Sequence, residues 1–145
     1  MPEDFVLTLD ALYTKNISTI TYKNIKYVDS NTKIKEGTQS ERTLLSVYND
    51  PYISRFNDII LLDNTSKGYS YTLTAQLTKK FRFGLSTMAA YTYGHSKSVN
   101  DGTSSQALSG WQYNLVNSNS NNPELATSSY DVGNKIIASV NYSKS

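Results

Sequence analysis

Trp111 and Tyr113 are the side chains of this 145-residue chain best suited to recognition, because an indole and a phenol two residues apart can form a stacking platform for a sugar or a peptide. The inventory for catalysis is thinner. His95 is the sole histidine, so the chain cannot build a histidine-based metal cluster by itself, and a lone histidine at a strand end reads as a surface residue. Ser86, Ser96 and Ser98 have no evident base partner. With no cysteine there is no thiolate ligand, thiol nucleophile or disulfide framework. Asp101-Gly102 and the asparagine-rich run Asn117–Asn122 offer oxygen atoms to Ca²⁺, but neither has the spacing of a ligand loop. Lys79, Lys80 and Arg82 suggest a solvated turn ahead of a phosphate site. These residues predict no enzyme, no metal and no cofactor.

The elements that must position them are strands. From Ser66 to Lys97 the chain reads as two amphipathic strands joined by a short basic turn. Tyr69, Tyr71, Leu73, Ala75 and Leu77 share one face of the first; Leu85, Thr87, Ala89, Tyr91 and Tyr93 share one face of the second. With Phe81 at the centre of the turn, Tyr71 would face Tyr91 and Tyr69 would face Tyr93. That register puts aliphatic and small residues mid-strand and four tyrosines at one rim. A soluble sandwich places its bulk mid-strand, whereas a membrane barrel places aromatics where hydrocarbon meets water. About ten residues per strand at roughly 3.3 Å each, tilted by about 45°, span an apolar band roughly 25 Å tall. A twisted hairpin in a soluble all-β protein would share the alternation.

The rest of the chain repeats the theme. Glu3–Thr14 alternates, with Phe5 and Tyr13 bracketing Leu7, Leu9 and Ala11, and Asp10 on the opposite face. Ile17–Val28 reads as one strand too polar on both faces for lipid. Asp29–Ser40 reads as a charged loop, Thr43–Tyr48 as a short strand, Asn49–Pro51 as a turn and Phe56–Leu62 as an apolar strand. Gly102–Ser129 is a long region rich in Ser, Asn and Gly, and Asn134–Ser143 alternates again. No helix is expected. A net charge of +2 gives no electrostatic case for nucleic acid, and 12 tyrosines with a mean hydropathy of −0.47 fit strands rather than apolar helices.

Three segments carry a family resemblance: LLDNTSKGYSYTLTAQLTKKF, GLSTMAAYTYGHSKSVNDGTSS and NNPELATSSYDVGNKIIASVNYS. Their order and spacing resemble the carboxyl-terminal β-barrel of TonB-dependent outer-membrane receptors, nearest the Oar-like branch with its carboxypeptidase-regulatory-like domain. Val132-Gly133-Asn134-Lys135 departs from the family, which has a proline, a histidine and an arginine before that strand. The resemblance implies an all-β fold, with antiparallel strands of a partial transmembrane β-barrel and long extracellular loops. On it, residues 1–145 are a single fragment, lacking leader, TonB-contacting segment, plug and the remaining strands of a barrel of roughly 22.

The implied partners are outer-membrane lipid, the remainder of the barrel and plug, and the inner-membrane TonB energy-coupling complex. The implied location is the bacterial outer membrane, where the sequons at Asn16, Asn64 and Asn141 carry no meaning. If the turn Lys79–Arg82 is periplasmic, Tyr13, Tyr69, Tyr71, Tyr91 and Tyr93 sit near the outer rim, Phe5 and Tyr142 near the inner one, and Asp10 faces the lumen. Barrel loops also pin themselves to the rim with aromatics, a second reading for Trp111 and Tyr113. The competing expectation is a soluble extracellular β-domain that binds carbohydrate or another surface ligand through those two residues.

Overall fold

The computed structural model describes residues 5–36, 40–114, 116 and 119–143. It is all-β and antiparallel. The strands are β1 (Phe5–Lys15), β2 (Thr19–Asn24), β3 (Tyr27–Glu36), β4 (Ser40–Val47), β5 (Ile60–Thr65), β6 (Tyr69–Lys80), β7 (Leu85–Ser98), β8 (Ala126–Thr127) and β9 (Gly133–Tyr142). One short helix, α1 (Ala107–Gln112), and a 3-10 turn at Ile53–Arg55 complete the described elements. No described helix is long and apolar enough to cross a membrane, which says nothing of strands. The chain divides into two compact units: one takes the chain up to Lys15, Tyr69–Lys97 and the chain from Tyr130; the other takes Asn16–Gly68 and Ser98–Ser129.

In the first unit β6 pairs with β1 on one side and β7 on the other, and β7 pairs in turn with β9. Period two survives across all four strands. Leu9, Ala75, Tyr91 and Ile136 lie in one row, with Leu7, Leu77, Ala89 and Ala138 in the next. Residues of the intervening rows, such as Asp10, Thr74, Thr92 and Lys135, point to the opposite face. Every side chain therefore lies on the face the alternation predicts.

The register differs from the expected one. Tyr69 lies opposite Lys97 and Tyr71 opposite His95, while Tyr93 and Tyr91 sit deeper, opposite Leu73 and Ala75. The cause is the turn. Phe81 N–H donates to Leu85 O at 2.8 Å and Gly84 N–H to Phe81 O at 3.3 Å, so the loop closes around Phe83 rather than Phe81. Gly84 supplies the required positive φ of 86°, and its carbonyl accepts the Ser143 N–H at 3.0 Å.

The first unit is a single layer. Its apolar rows are exposed, Leu9 at 69% and Ile136 at 78%, and none of its described Val, Ile, Leu, Met or aromatic side chains is buried; the buried Val99 belongs to the other unit. A sheet in water covers such a face with a second layer. None of the described residues of this unit covers it. Among the described residues no strand pairs with the outer edge of β1 or of β9, and the sheet is not closed into a barrel.

The second unit contains two separate ribbons, β2 with β5 and β3 with β4. Several expectations are corrected here. Ile17–Val28 is not one strand: a turn at Ile25-Lys26 divides β2 from β3. Much of Asp29–Ser40 is strand rather than loop, because β3 pairs with β4 through a register shift between Asp29 and Lys33; residues 37–39 lie outside the described set. The apolar strand begins at Ile60 rather than Phe56, since a 3-10 turn ending at Arg55 precedes residues 56–59, and Asp50 Oδ1 opens that turn by accepting the N–H groups of Tyr52 (2.7 Å) and Ile53 (3.1 Å). The helix α1 was unexpected. Its six residues are too few to show a helical period, and Gly110 lets it lie against the Tyr22 ring, where a Cβ would collide.

Candidate functional site

The first candidate surface is the apolar face formed by β1, β6, β7 and β9, the long strands of a five-stranded sheet whose other member is the two-residue β8. No Lys, Arg, Asp or Glu of these strands interrupts it between the row of Lys15, Tyr69 and Lys97 at one end and Lys79 at the other, and the one titratable imidazole, His95, lies near the border in the Tyr71 row. Tyr69 and Lys79 lie about ten residues apart on β6, so this stretch is roughly 34 Å long along the strand and roughly 25 Å along the membrane normal for a strand tilted by about 45°. The Lys79 ammonium lies 4.7 Å from the centre of the Phe81 ring, a long side chain lying along an aromatic at the border of the band.

The aromatics border the band obliquely. Tyr13 and Tyr71 share a row; Tyr93 and Tyr91 follow in the next two rows toward the turn. At the other end Phe5 shares a row with Val140, and Tyr142 is one row further in the same direction, opposite Leu85. Both borders thus step the same way across the sheet. A band crossing strands obliquely is what strands tilted by roughly 35–45° in a slab require. Tyr71 and Tyr93 meet at 6.0 Å between ring centres, and Tyr91 Oη donates to Asn134 Oδ1 at 2.6 Å. The chain leaves this sheet for its long excursions only at the end of Lys15, Tyr69 and Ser98, whereas the other end carries the short turn.

His95 is more than a surface residue. Its Nδ1 lies 3.3 Å from Asp131 Oδ1, which also accepts the Ser96 N–H at 2.6 Å, and its ring meets the edge of Tyr71 at 6.0 Å. Asp131 thereby ties the start of β9 to β7. Asp10 is exposed on the polar face opposite Thr74.

The second candidate surface lies in the other unit, and it separates Trp111 from Tyr113. Trp111 is half-buried. Its indole stacks on Tyr27 with ring centres 5.8 Å apart and planes 10° from parallel, and its Nε1–H donates to Asn121 Oδ1 at 2.9 Å. The indole is thereby committed to partners inside the unit, and Tyr113 follows the last residue of α1, so the two rings do not form a shared platform. Tyr113 is 73% exposed.

Asn121 is the residue that sequence reasoning missed. Its Oδ1 also accepts the Asn24 N–H at 2.8 Å, and its Nδ2 donates to Asn24 O (3.0 Å) and Tyr27 O (2.9 Å), so one amide closes the turn between β2 and β3. Asn24 is wholly buried; its own amide donates to Asp58 at 2.7 Å and accepts from Lys26 and Ile59. Asn119 supports both, accepting the Asn121 N–H at 2.8 Å and donating to Asp29 at 2.6 Å. Residues 117 and 118 of the run weighed as a Ca²⁺ ligand source lie outside the described set, and the amides of 119 and 121 are occupied by protein.

Asp101 organises the neighbouring loop. Burial pushes its carboxyl up, but hydrogen bonds from Ser98, the Ser129 N–H (2.5 Å) and Ser128 (2.7 Å) outweigh this and hold it at about 2. Asp101 and Tyr113 both line a cleft of about 410 Å³. Among the described residues no three His, Cys, Asp or Glu side chains converge as a metal site. No protein-family model, no curated protein and no solved structure matches the chain.

Proposed function

We propose that the chain is part of the transmembrane β-barrel of an outer-membrane TonB-dependent receptor, and that it is a transport component rather than an enzyme. The observation that carries this reading is the single-layer sheet with its apolar face outward, free of Lys, Arg, Asp and Glu over roughly 25 Å and bordered by lysines and aromatics. Lipid is the solvent that such a face requires. The resemblance of the three segments from Leu61 to Ser143 to that receptor family supports the same conclusion. The short turn at one end and long excursions at the other match the two sides of an outer-membrane barrel.

The open edges of β1 and β9 then pair with further strands of the receptor barrel, because lipid cannot hydrogen-bond an exposed strand edge. Four strands enclose no useful bore, so nutrient uptake belongs to the full-length receptor, with its plug and the energy-coupling complex of the inner membrane. The polar face of Thr8, Asp10, Thr72, Thr74 and Gln76 faces the lumen.

The test is refolding with and without detergent, followed by far-UV circular dichroism and sedimentation. The reading predicts aggregation in buffer and a β signal in detergent or lipid. A monomer that is soluble in buffer and unfolds cooperatively would sink it in favour of an extracellular β-domain.

A further inference from the structure

We propose that the cleft beside Tyr113 is a binding site for a neutral, hydroxyl-rich ligand, an oligosaccharide in chemical class. The cleft lies wholly within the second unit and is independent of the membrane reading. Its volume of about 410 Å³ falls in the range of small-ligand sites, roughly 300–1,000 Å³. Three features of its wall select the ligand.

The first is Tyr113, a large aromatic 73% exposed on the lining. Its N–H donates to Ser109 O at 3.0 Å at the end of α1, which fixes the backbone that carries the ring. An exposed aromatic face on an anchored backbone takes the C–H face of a sugar ring, and a tyrosine has only two side-chain torsions to order.

The second is a surplus of acceptors. The Ser98 hydroxyl donates to Asp101, which leaves its lone pairs to accept. Asn114 Nδ2 donates to Val99 O at 2.8 Å, which leaves the amide oxygen as the acceptor on that side chain. The Asp101 carboxylate is held ionised by its neighbours. A ligand with many hydroxyl donors complements such a wall.

The third is charge. Among the described residues Asp101 is the only charged one of the lining and no Lys or Arg joins it, so a phosphate or carboxylate ligand would meet no cation from them. The wall is also held before any ligand arrives, since Asp101, Asn114 and Asn100 (to Gly110 O, 3.4 Å) already hydrogen-bond across it.

The experiment uses the full chain in detergent micelles, or in buffer if it is soluble there, titrated with maltohexaose, cellohexaose and mannohexaose. Saturation-transfer NMR detects contact and calorimetry gives Kd; a neutral Gly-Ser-Asn peptide is the competing class. Trp111, the sole tryptophan, reports through its emission that each variant retains the fold of this unit. The proposal predicts millimolar binding of at least one hexaose, weakened tenfold or more by Tyr113→Ala and by Thr127→Arg, which fills the cleft from another lining residue. Tyr52→Ala, an equally exposed tyrosine away from the lining, leaves Kd unchanged. Absence of binding to all three sugars by folded protein, equal binding by folded Tyr113→Ala, or tighter binding of the peptide would each overturn it. Failure of the membrane reading shows separately, as solubility in buffer, and leaves this titration interpretable.

Discussion

The two units solve the same problem in opposite ways. The sheet of β1, β6, β7 and β9 turns its Leu, Ile, Val and Tyr side chains outward and keeps almost nothing apolar inside. The ribbons of the second unit are joined by polar groups, with Asn24 buried and the Asn121 amide bonded to four backbone or ring groups of Asn24, Tyr27 and Trp111. One is an exposed apolar surface; the other is a hydrogen-bond network in which every described buried side-chain polar atom is satisfied. With Val99 the single Val, Ile, Leu, Met or aromatic side chain buried among the described residues, little of the stability can come from a core. The two units should therefore fail under different insults.

Charge placed mid-face separates them most sharply. Leu73→Arg should cost about 2–4 kcal/mol in lipid, whereas Thr74→Arg, one residue along on the polar face, should be nearly neutral. Urea titrations of vesicle-refolded protein measure both, and equal losses would erase the distinction between the faces. Neither change should alter Trp111 emission.

Asn121→Ala is the converse. It strands Asn24, the Tyr27 carbonyl and the Trp111 N–H, at a cost of about 2–3 kcal/mol to the second unit. The Trp111 emission should shift to the red while the circular dichroism of the sheet persists in lipid. Concerted loss of both signals would mean that the two units are one cooperative structure.

A smaller effect comes from acid. Because the Asp101 carboxyl is held at about 2, below the ordinary carboxylate value of 3.8, its contribution is fully present above about pH 4 and is lost as pH falls toward 2. The amount is on the order of 1 kcal/mol after allowing for solvent screening. Asp101→Asn should flatten the acid limb of the Trp111 stability profile without touching the sheet. Smallest of all is Lys23→Ala, which removes an exposed ion pair with Asp63 (2.6 Å) and should leave the unfolding midpoint unmoved.

The same contrast explains what the sequence made legible. β1, β6, β7 and β9 announce themselves because apolar and polar residues alternate with strong contrast, and period two fixes the face of each residue whatever the register. The register itself was misjudged because the turn centre depends on Gly84 adopting a positive φ, a local geometry that alternation does not encode. β3 was hidden because YVDSNTKIKE has too little apolar contrast to alternate visibly. The site was less legible than the fold. Tyr113 is exposed and lines a cleft, but Trp111 is committed to Tyr27 and Asn121, and nothing in the spacing of Asn24, Asn119 and Asn121 foretells that they share one network. Amides joined over long sequence separations leave no periodic trace.

The most direct test uses the absence of native cysteine. Single cysteines introduced in turn from Tyr71 to Thr78 of β6, labelled with an environment-sensitive fluorophore in lipid vesicles, would be quenched by brominated lipid or by an aqueous quencher. The account predicts strict alternation, with positions 71, 73, 75 and 77 quenched from the lipid and 72, 74, 76 and 78 from water. Uniform aqueous quenching along β6, or alternation of the opposite phase, would contradict it.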